Sequence, residues 1–109
     1  MEISFLVAGS ATNPYEVTFA KKSDGLSVSC TCPAGERGLH CKHRLAIITG
    51  DASAVVSKNL AELEVVRTWL AGSDLEIACS EFREAEKNVE DAKTRFDKVK
   101  KRIGKLMAG

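Results

Sequence analysis

The sequence has little proline, few aromatic side chains and almost no net charge. It contains two prolines, 6% aromatic residues and a formal net charge of +1 at pH 7. An overall positive field, the usual electrostatic basis for binding nucleic acid, is therefore missing. No stretch approaches the length of a membrane span, and Met1 to Ser10 lacks the basic start and long apolar run of a secretion signal. We expect a cytoplasmic protein, or a nuclear one in a eukaryote, that is neither secreted nor inserted in a membrane.

Signatures of catalysis are missing as well. The sequence shows no paired carboxylates, no nucleophile–histidine–acid triad and no glycine-rich phosphate loop. We therefore expect no enzymatic activity and no small-molecule substrate. With 109 residues, the chain has room for one domain, or for a small domain and an extension.

Cysteine and histidine are concentrated in one segment. Three of the four cysteines and both histidines fall between Ser29 and His43. The spacing of Cys30 and Cys32 puts both side chains on one face if the backbone is extended from Leu26 to Cys32. On a helix the same spacing would turn the side chains about 200° apart, so Cys41 should precede or open a helix with His43 in its first turn. Three thiolates and one imidazole complete a tetrahedral site, which favours a structural zinc over a catalytic one.

Other interpretations of these residues are weaker. Disulfides need an oxidising compartment, and the four-ligand spacing indicates zinc rather than a redox or nucleophilic cysteine. His40 is the alternative nitrogen ligand, although it would make two ligands adjacent in the chain. Cys79 lies far away on a predicted helix, where a cysteine acts as a small apolar residue. We expect one zinc ion held by Cys30, Cys32, Cys41 and His43.

The segment resembles the SWIM-type zinc finger, in which C-x-C and C-x-H flank a variable loop where a short sheet leads into a helix. The four ligands match, and Pro33, Gly38 and Lys42 stand where such sequences often have Pro, Gly and Lys. The resemblance covers residues 1–50 and implies zinc binding with DNA or protein contacts, inside larger proteins such as transposases, chromatin remodellers and recombination factors. Their catalytic domains do not fit in 109 residues, so the resemblance implies an interaction module.

Alternating apolar residues predict three strands around this segment, at residues 2–8, 15–20 and 26–32. Asp24-Gly25 is the turn signal of the second hairpin, and Gly50 is the expected end of the helix that follows Cys41. The fold class is therefore α+β, a three-stranded antiparallel meander plus a helix around a zinc site. A domain of this size is marginal without a metal or another cross-link.

We assign residues 1–50 to the finger and residues 51–109 to a helical extension, either a helical hairpin or a coiled coil. Asn59 with Glu62, and Ser73 with Glu76, have capping-box spacing. They predict one helix over 59–71 and another from Asp74 to about Met107. The first should pack against the finger or the last helix through its apolar residues, which are Leu60, Leu63, Val66, Leu70 and, beside them, Trp69.

The last predicted helix carries a heptad pattern. Its a positions are Leu75, Phe82, Val89, Phe96 and Ile103, and its d positions are Ala78, Ala85, Ala92, Val99 and Leu106. Because all ten are apolar, the pattern indicates a coiled coil. At about 1.5 Å per residue the helix is about 50 Å long, so the preceding helix covers less than half of it. Another copy or another protein should cover the remainder; a solvated single helix is the alternative.

Charge along this helix favours an antiparallel pair. Residues 74–92 hold seven acids and two bases, whereas residues 93–109 hold seven bases and one acid. Parallel pairing would place like charges together, but antiparallel pairing sets Glu86 against Lys93 and Glu81 against Arg102. We predict an antiparallel homodimer through residues 74–107, or a different protein partner on the same face.

Nucleic-acid binding is the alternative function. The bases near the knuckle are Lys21, Lys22, Arg37, Lys42 and Arg44, and a second group on the last helix comprises Lys98, Lys100, Lys101, Arg102 and Lys105. Nearby acidic residues dilute both groups. We therefore expect only weak binding to random duplex DNA at physiological salt, in the range of about 10⁻⁴ to 10⁻⁶ M that non-specific contacts give.

Overall fold

The structure is a computed structural model that describes residues 1–109. Its elements in chain order are β1 (Glu2–Val7), β2 (Tyr15–Lys22), β3 (Gly25–Cys30), α1 (Pro33–Glu36), α2 (Lys42–Ile48), a 3-10 turn (Leu60–Glu62), α3 (Leu63–Leu70) and α4 (Asp74–Met107). The chain forms two compact units, Met1–Cys79 and Ser80–Gly109.

The three strands form one antiparallel sheet in the order β1-β2-β3, as the apolar alternation predicted. Their register aligns Phe5 with Val17 and Val17 with Cys30, so these side chains form one row across the sheet. Phe5, Val17 and Phe19 are fully buried, and the two phenylalanine rings meet edge to face with their centroids 6.0 Å apart. This row connects the hydrophobic core directly to the first predicted zinc ligand.

Two details of the sheet differ from the prediction. Strand β3 ends at Cys30, because Cys32 leaves the ladder to cap α1. The second hairpin, predicted as a loop over Lys21–Gly25, is tighter: it turns at Ser23 and Asp24, because Gly25 already pairs with Lys22.

Helix α2 ends at Gly50, as predicted. Gly50 has a φ of +97°, and its N–H donates to the Ile47 carbonyl over 3.1 Å while the Asp51 N–H donates to the Ala46 carbonyl over 2.8 Å. These two bonds form a Schellman motif, which satisfies carbonyls at the helix end. Ile47 is buried against the sheet, so α2 is stabilised by the hydrogen bonds at its C-terminal end and by the packing of Ile47.

Residues 54–57 run along the outer edge of β1. The Ala8 N–H donates to the Ala54 carbonyl over 2.9 Å, and the Val56 N–H donates to the Leu6 carbonyl over 2.8 Å. The Asn59 amide continues this contact by donating to the Ser4 carbonyl over 2.8 Å. The segment therefore covers a strand edge that would otherwise be open to pairing with another chain.

The predicted helix over 59–71 was wrong at its start. The Asn59 Nδ2 donates to the Ser4 carbonyl of β1 and to Glu62 Oε2, while its Oδ1, the atom that would accept a capping bond, has no partner. A 3-10 turn replaces the first helical turn, and Leu60, which was predicted to lie in the core, is exposed.

Helix α3 joins the same core as the sheet. Val66 and Leu70 are buried there, and Leu63, Trp69 and Leu75 pack against it while remaining half-buried. The predicted break before α4 is confirmed, since Gly72 has a φ of +75° and Ser73 Oγ accepts the Glu76 N–H over 3.1 Å. Residues 51–79 therefore belong to the same compact unit as the zinc-finger segment.

The unit Ser80–Gly109 is the long remaining part of α4. Every residue in it is exposed. Six large apolar side chains on it are between 39% and 70% exposed, namely Phe82, Val89, Phe96, Val99, Ile103 and Leu106. None of the helices is both long enough and apolar enough to cross a membrane.

The neighbouring valines of α3 test whether this helix is part of the finger's core. Val66 is 1% exposed and Val65 is 40% exposed. Val66→Ala should lower the free energy of unfolding of the zinc-loaded protein by about 2 kcal/mol, because it leaves a cavity in the core. Val65→Ala is the control and should change it by less than about 0.5 kcal/mol. Equal effects in urea denaturation would contradict the packing of α3 on the sheet.

Candidate metal centre

Four side chains converge where the sheet meets α2. The ligand atoms of Cys30, Cys32, Cys41 and His43 all lie within 4.8 Å of one another. Cys30 is the last residue of β3, Cys32 and Cys41 are the N-caps of α1 and α2, and His43 lies in the first turn of α2. The structure therefore brings together the predicted ligands, with Cys41 opening the helix as the spacing required.

Two of the cysteines are held by the helices that they cap. The Gly35 N–H donates to Cys32 Sγ over 3.3 Å, and the Arg44 N–H donates to Cys41 Sγ over 3.4 Å. A sulfur at an N-cap position replaces the side-chain oxygen that usually accepts this bond. Such donors favour the thiolate, which is the form that binds a metal.

Glycine is required at position 35 for a steric reason. A Cβ atom placed there would lie 2.3 Å from the Cys30 carbonyl oxygen. Helix α1 therefore approaches the end of β3 more closely than any side chain permits. This approach keeps Cys32, at the start of α1, beside Cys30.

His43 presents one nitrogen to the sulfurs and turns the other away. Its Nδ1 lies 3.9 Å from Cys30 Sγ. Its Nε2 is buried without a hydrogen-bond partner, on the side of Gly9 and of the Tyr15 ring, whose centroid is 4.9 Å from that of the imidazole. The exposed His40 is not part of the cluster. Nδ1 of His43 is therefore the nitrogen that faces the sulfurs.

The protonation properties of the cluster fit a cation. Burial, followed by the charge of Lys42, lowers the pKa of His43, so its imidazole is neutral and can coordinate. Burial raises the pKa of Cys30 to about 12, so this thiol needs a cation beside it to ionise. At Cys41, burial acts in the same direction but the hydrogen bonds from Arg44 and Cys32 more than offset it, so its pKa is lowered.

The donor set and spacing fit zinc. Tetrahedral bonds of about 2.3 Å to sulfur and about 2.0 Å to nitrogen place the ligand atoms roughly 3.5 to 3.8 Å apart. Donors within 4.8 Å of one another reach that geometry by a small contraction. Three sulfurs and one nitrogen leave no coordination position for a substrate, so the ion would cross-link the chain.

Arg44 supports the site from outside the four ligands, a role that the sequence did not reveal. Its Nε donates to Cys41 Sγ over 3.1 Å, and its two terminal nitrogens donate to the carbonyls of Val28, over 3.1 Å, and of Leu39. The guanidinium thus joins a zinc ligand, the edge of β3 and the end of the loop. Because three thiolates and Zn²⁺ sum to a charge of −1, this cation also balances the site.

The other basic residues proposed as nucleic-acid contacts are dispersed. Lys21 and Lys22 lie at the hairpin end of the sheet, about 13 to 17 Å along β3 from Cys30 at about 3.3 Å per residue. Arg37 and Lys42 are exposed near the metal site. Arg44 was predicted to be a surface contact, but its hydrogen bonds make it part of the metal centre.

The fold and donor set define a zinc-binding module of the Cys₃His type. Residues 15–49 match the family model described as the SWIM zinc finger. This segment therefore matches the SWIM zinc finger and carries a site for one zinc ion, as the ligand pattern predicted. Searches of curated proteins and of solved structures found no match.

The two histidines provide a matched test of the ligand assignment. His43→Ala removes a ligand and should lower zinc affinity by more than about 100-fold, beyond the 10–100-fold typical of an outer-shell change. His40→Ala is the control and should leave affinity within about twofold. Competition with a chromophoric chelator measures both. An affinity loss in the His40 variant alone would contradict the assignment.

Arg44 can be tested against another arginine. Arg44→Gln should lower zinc affinity by about 10–100-fold, because Cys41 loses a charged donor and the negative site loses its nearest cation. Arg37→Gln removes the same charge from an exposed loop position and should have little effect. Equal losses in the same chelator competition would show that only net charge matters.

Proposed function

We propose that this protein is a non-enzymatic interaction module, in which the zinc finger carries a helix that self-associates. The observation that supports this most directly is the apolar stripe on residues 80–109. Its six large side chains include Val89 at 70%, Phe96 at 62% and Leu106 at 69% exposure. Isolated apolar residues are common on surfaces, but a contiguous stripe at coiled-coil spacing is typical of an interface.

Symmetry and charge support a second copy as the partner. An antiparallel pair centred between Glu90 and Asp91 places the acidic half of one helix beside the basic half of the other. The same arrangement sets small residues against large ones, with Ala85 opposite Phe96 and Ala92 opposite Val89.

The middle of the helix has a surface hollow that fits this arrangement. It is lined by Asp91, Ala92, Arg95, Phe96 and Val99. In the antiparallel pair, Val89 of the second copy would enter it above Ala92, and Phe82 would lie against Val99. The small side chain of Ala92 makes room for a knob of this kind.

The ligand set supports the non-enzymatic part of the proposal. Zinc in a catalytic site keeps one position for water or substrate, whereas the ligand set here is complete. Binding of nucleic acid receives less support, since Arg44 is engaged by the metal centre and the hairpin lysines lie far from Arg37 and Lys42.

Sedimentation equilibrium at tens of micromolar tests the proposed self-association. The wild-type protein should sediment as a dimer of the 11.8 kDa chain. Phe96→Gln should weaken dimerisation by about 100-fold or more, because the twofold symmetry means that the substitution removes two buried aromatic side chains, one from each copy. Thr94→Gln, on the outer face of the same helix, should not. A wild-type species of single-chain mass would rule out the homodimer and leave a different protein as the partner of the stripe.

A further inference from the structure

An apolar groove lies on the finger unit, between the edge strand β3, helix α2 and the first turns of α4. Its apolar lining is formed by Leu26, Val28, Leu45, Ile48, Leu75 and Cys79, and its volume is about 280 Å³. His40, Cys41 and Arg44 complete the lining, so the groove adjoins the metal centre. Strand β3 pairs only with β2, so this edge of the sheet is free of a further strand.

We propose that this groove receives the C-terminal end of α4 from a second copy of the chain, through Ile103, Leu106 and Met107. The inference rests on the self-association proposed above and adds the segment that fills the finger. One dimer would contain two such contacts, related by its twofold axis.

The register of the antiparallel pair leads to this contact. The centre between Glu90 and Asp91 places Leu75 opposite Leu106, and Ala78 opposite Ile103, of the second copy. α4 is one continuous helix from Asp74 to Met107, so the register extends to both of its ends. Leu75 is itself a lining residue of the groove. The register that the middle of the helix favours therefore places the apolar C-terminal end of α4 at the rim of the apolar groove.

The exposure of the helix end and the charges around it support this occupant of the groove. Leu106 is 69% exposed and Met107 is 82% exposed, and burying them would remove apolar surface from water. The first turn of α4, beside the groove, contains Asp74 and Glu76, whereas the last turn contains Lys105. Opposite charges therefore border the contact on its two sides.

In this dimer the zinc finger takes part in the contact between the two copies. Cys41 and Arg44 belong both to the metal centre and to the groove lining, so the shape of the groove depends on the metal-supported start of α2. The finger would then form the two outer parts of the dimer interface, with the heptads between them.

Crosslinking of zinc-loaded protein tests the position of the helix end. The register brings Cys79 close to position 100 of the second copy, so Lys100→Cys should form an intermolecular disulfide with the native Cys79 under mild oxidation. Lys101→Cys, on the outer face of the helix, is the control and should not. A second pair, Glu86→Cys with Lys93→Cys in a Cys79→Ala background, reports on the middle of the helix alone.

Affinity and methyl spectra test the groove itself. Leu106→Gln should weaken dimerisation about tenfold or more, while Lys101→Gln should change it less than twofold. The methyl resonances of Leu45 and Ile48 should shift between the dilute monomer and the dimer, and the shifts should be lost in the Leu106 variant.

The outcomes separate the two proposals. A single-chain mass with no 86–93 crosslink would overturn the self-association and this inference with it. A dimer that forms the 86–93 crosslink, but neither the 79–100 crosslink nor the methyl shifts, would overturn the groove contact alone and assign the groove to a different partner.

Discussion

The coordination of one zinc ion by four side chains is the interaction on which we expect the finger to depend. The ligands come from the end of β3, the start of α1 and the start of α2. Structural zinc contributes about 10 to 16 kcal/mol of apparent binding free energy, against a net stability of about 5 to 15 kcal/mol for a whole domain. We therefore expect the metal to decide whether these elements remain together.

The protein chain prepares the site through backbone and side-chain donors. Amide groups at two helix starts point at Cys32 and Cys41, and the Arg44 guanidinium adds a charged donor at Cys41. The core continues into the site through the row of Phe5, Val17 and Cys30. Hydrophobic packing and metal binding thus stabilise one connected unit rather than two separate ones.

The parts that sequence analysis predicted are those encoded by local spacing. The C-x-C and C-x-H pairs restrict the backbone around them, and alternation and capping residues identify the strands, α2 and α4. The features that sequence analysis missed depend on contacts between distant segments. Asn59 has the spacing of a helix cap, but its Nδ2 donates to the Ser4 carbonyl, which only the fold brings near, and its Oδ1 caps nothing. Arg44 likewise resembled a surface base until the fold placed Val28 and Leu39 beside it.

Zinc should hold residues 1–79 in their fold, while the helix beyond them should be independent of the metal. Amide ¹H–¹⁵N spectra of the full chain, recorded with one equivalent of zinc and again after chelation, test it most directly. Chelation should collapse the dispersed sheet resonances and one equivalent of zinc should restore them, while the helical resonances of residues 80–109 should persist throughout. A metal-free chain that keeps the dispersed sheet resonances, or one that gains none with zinc, would contradict it.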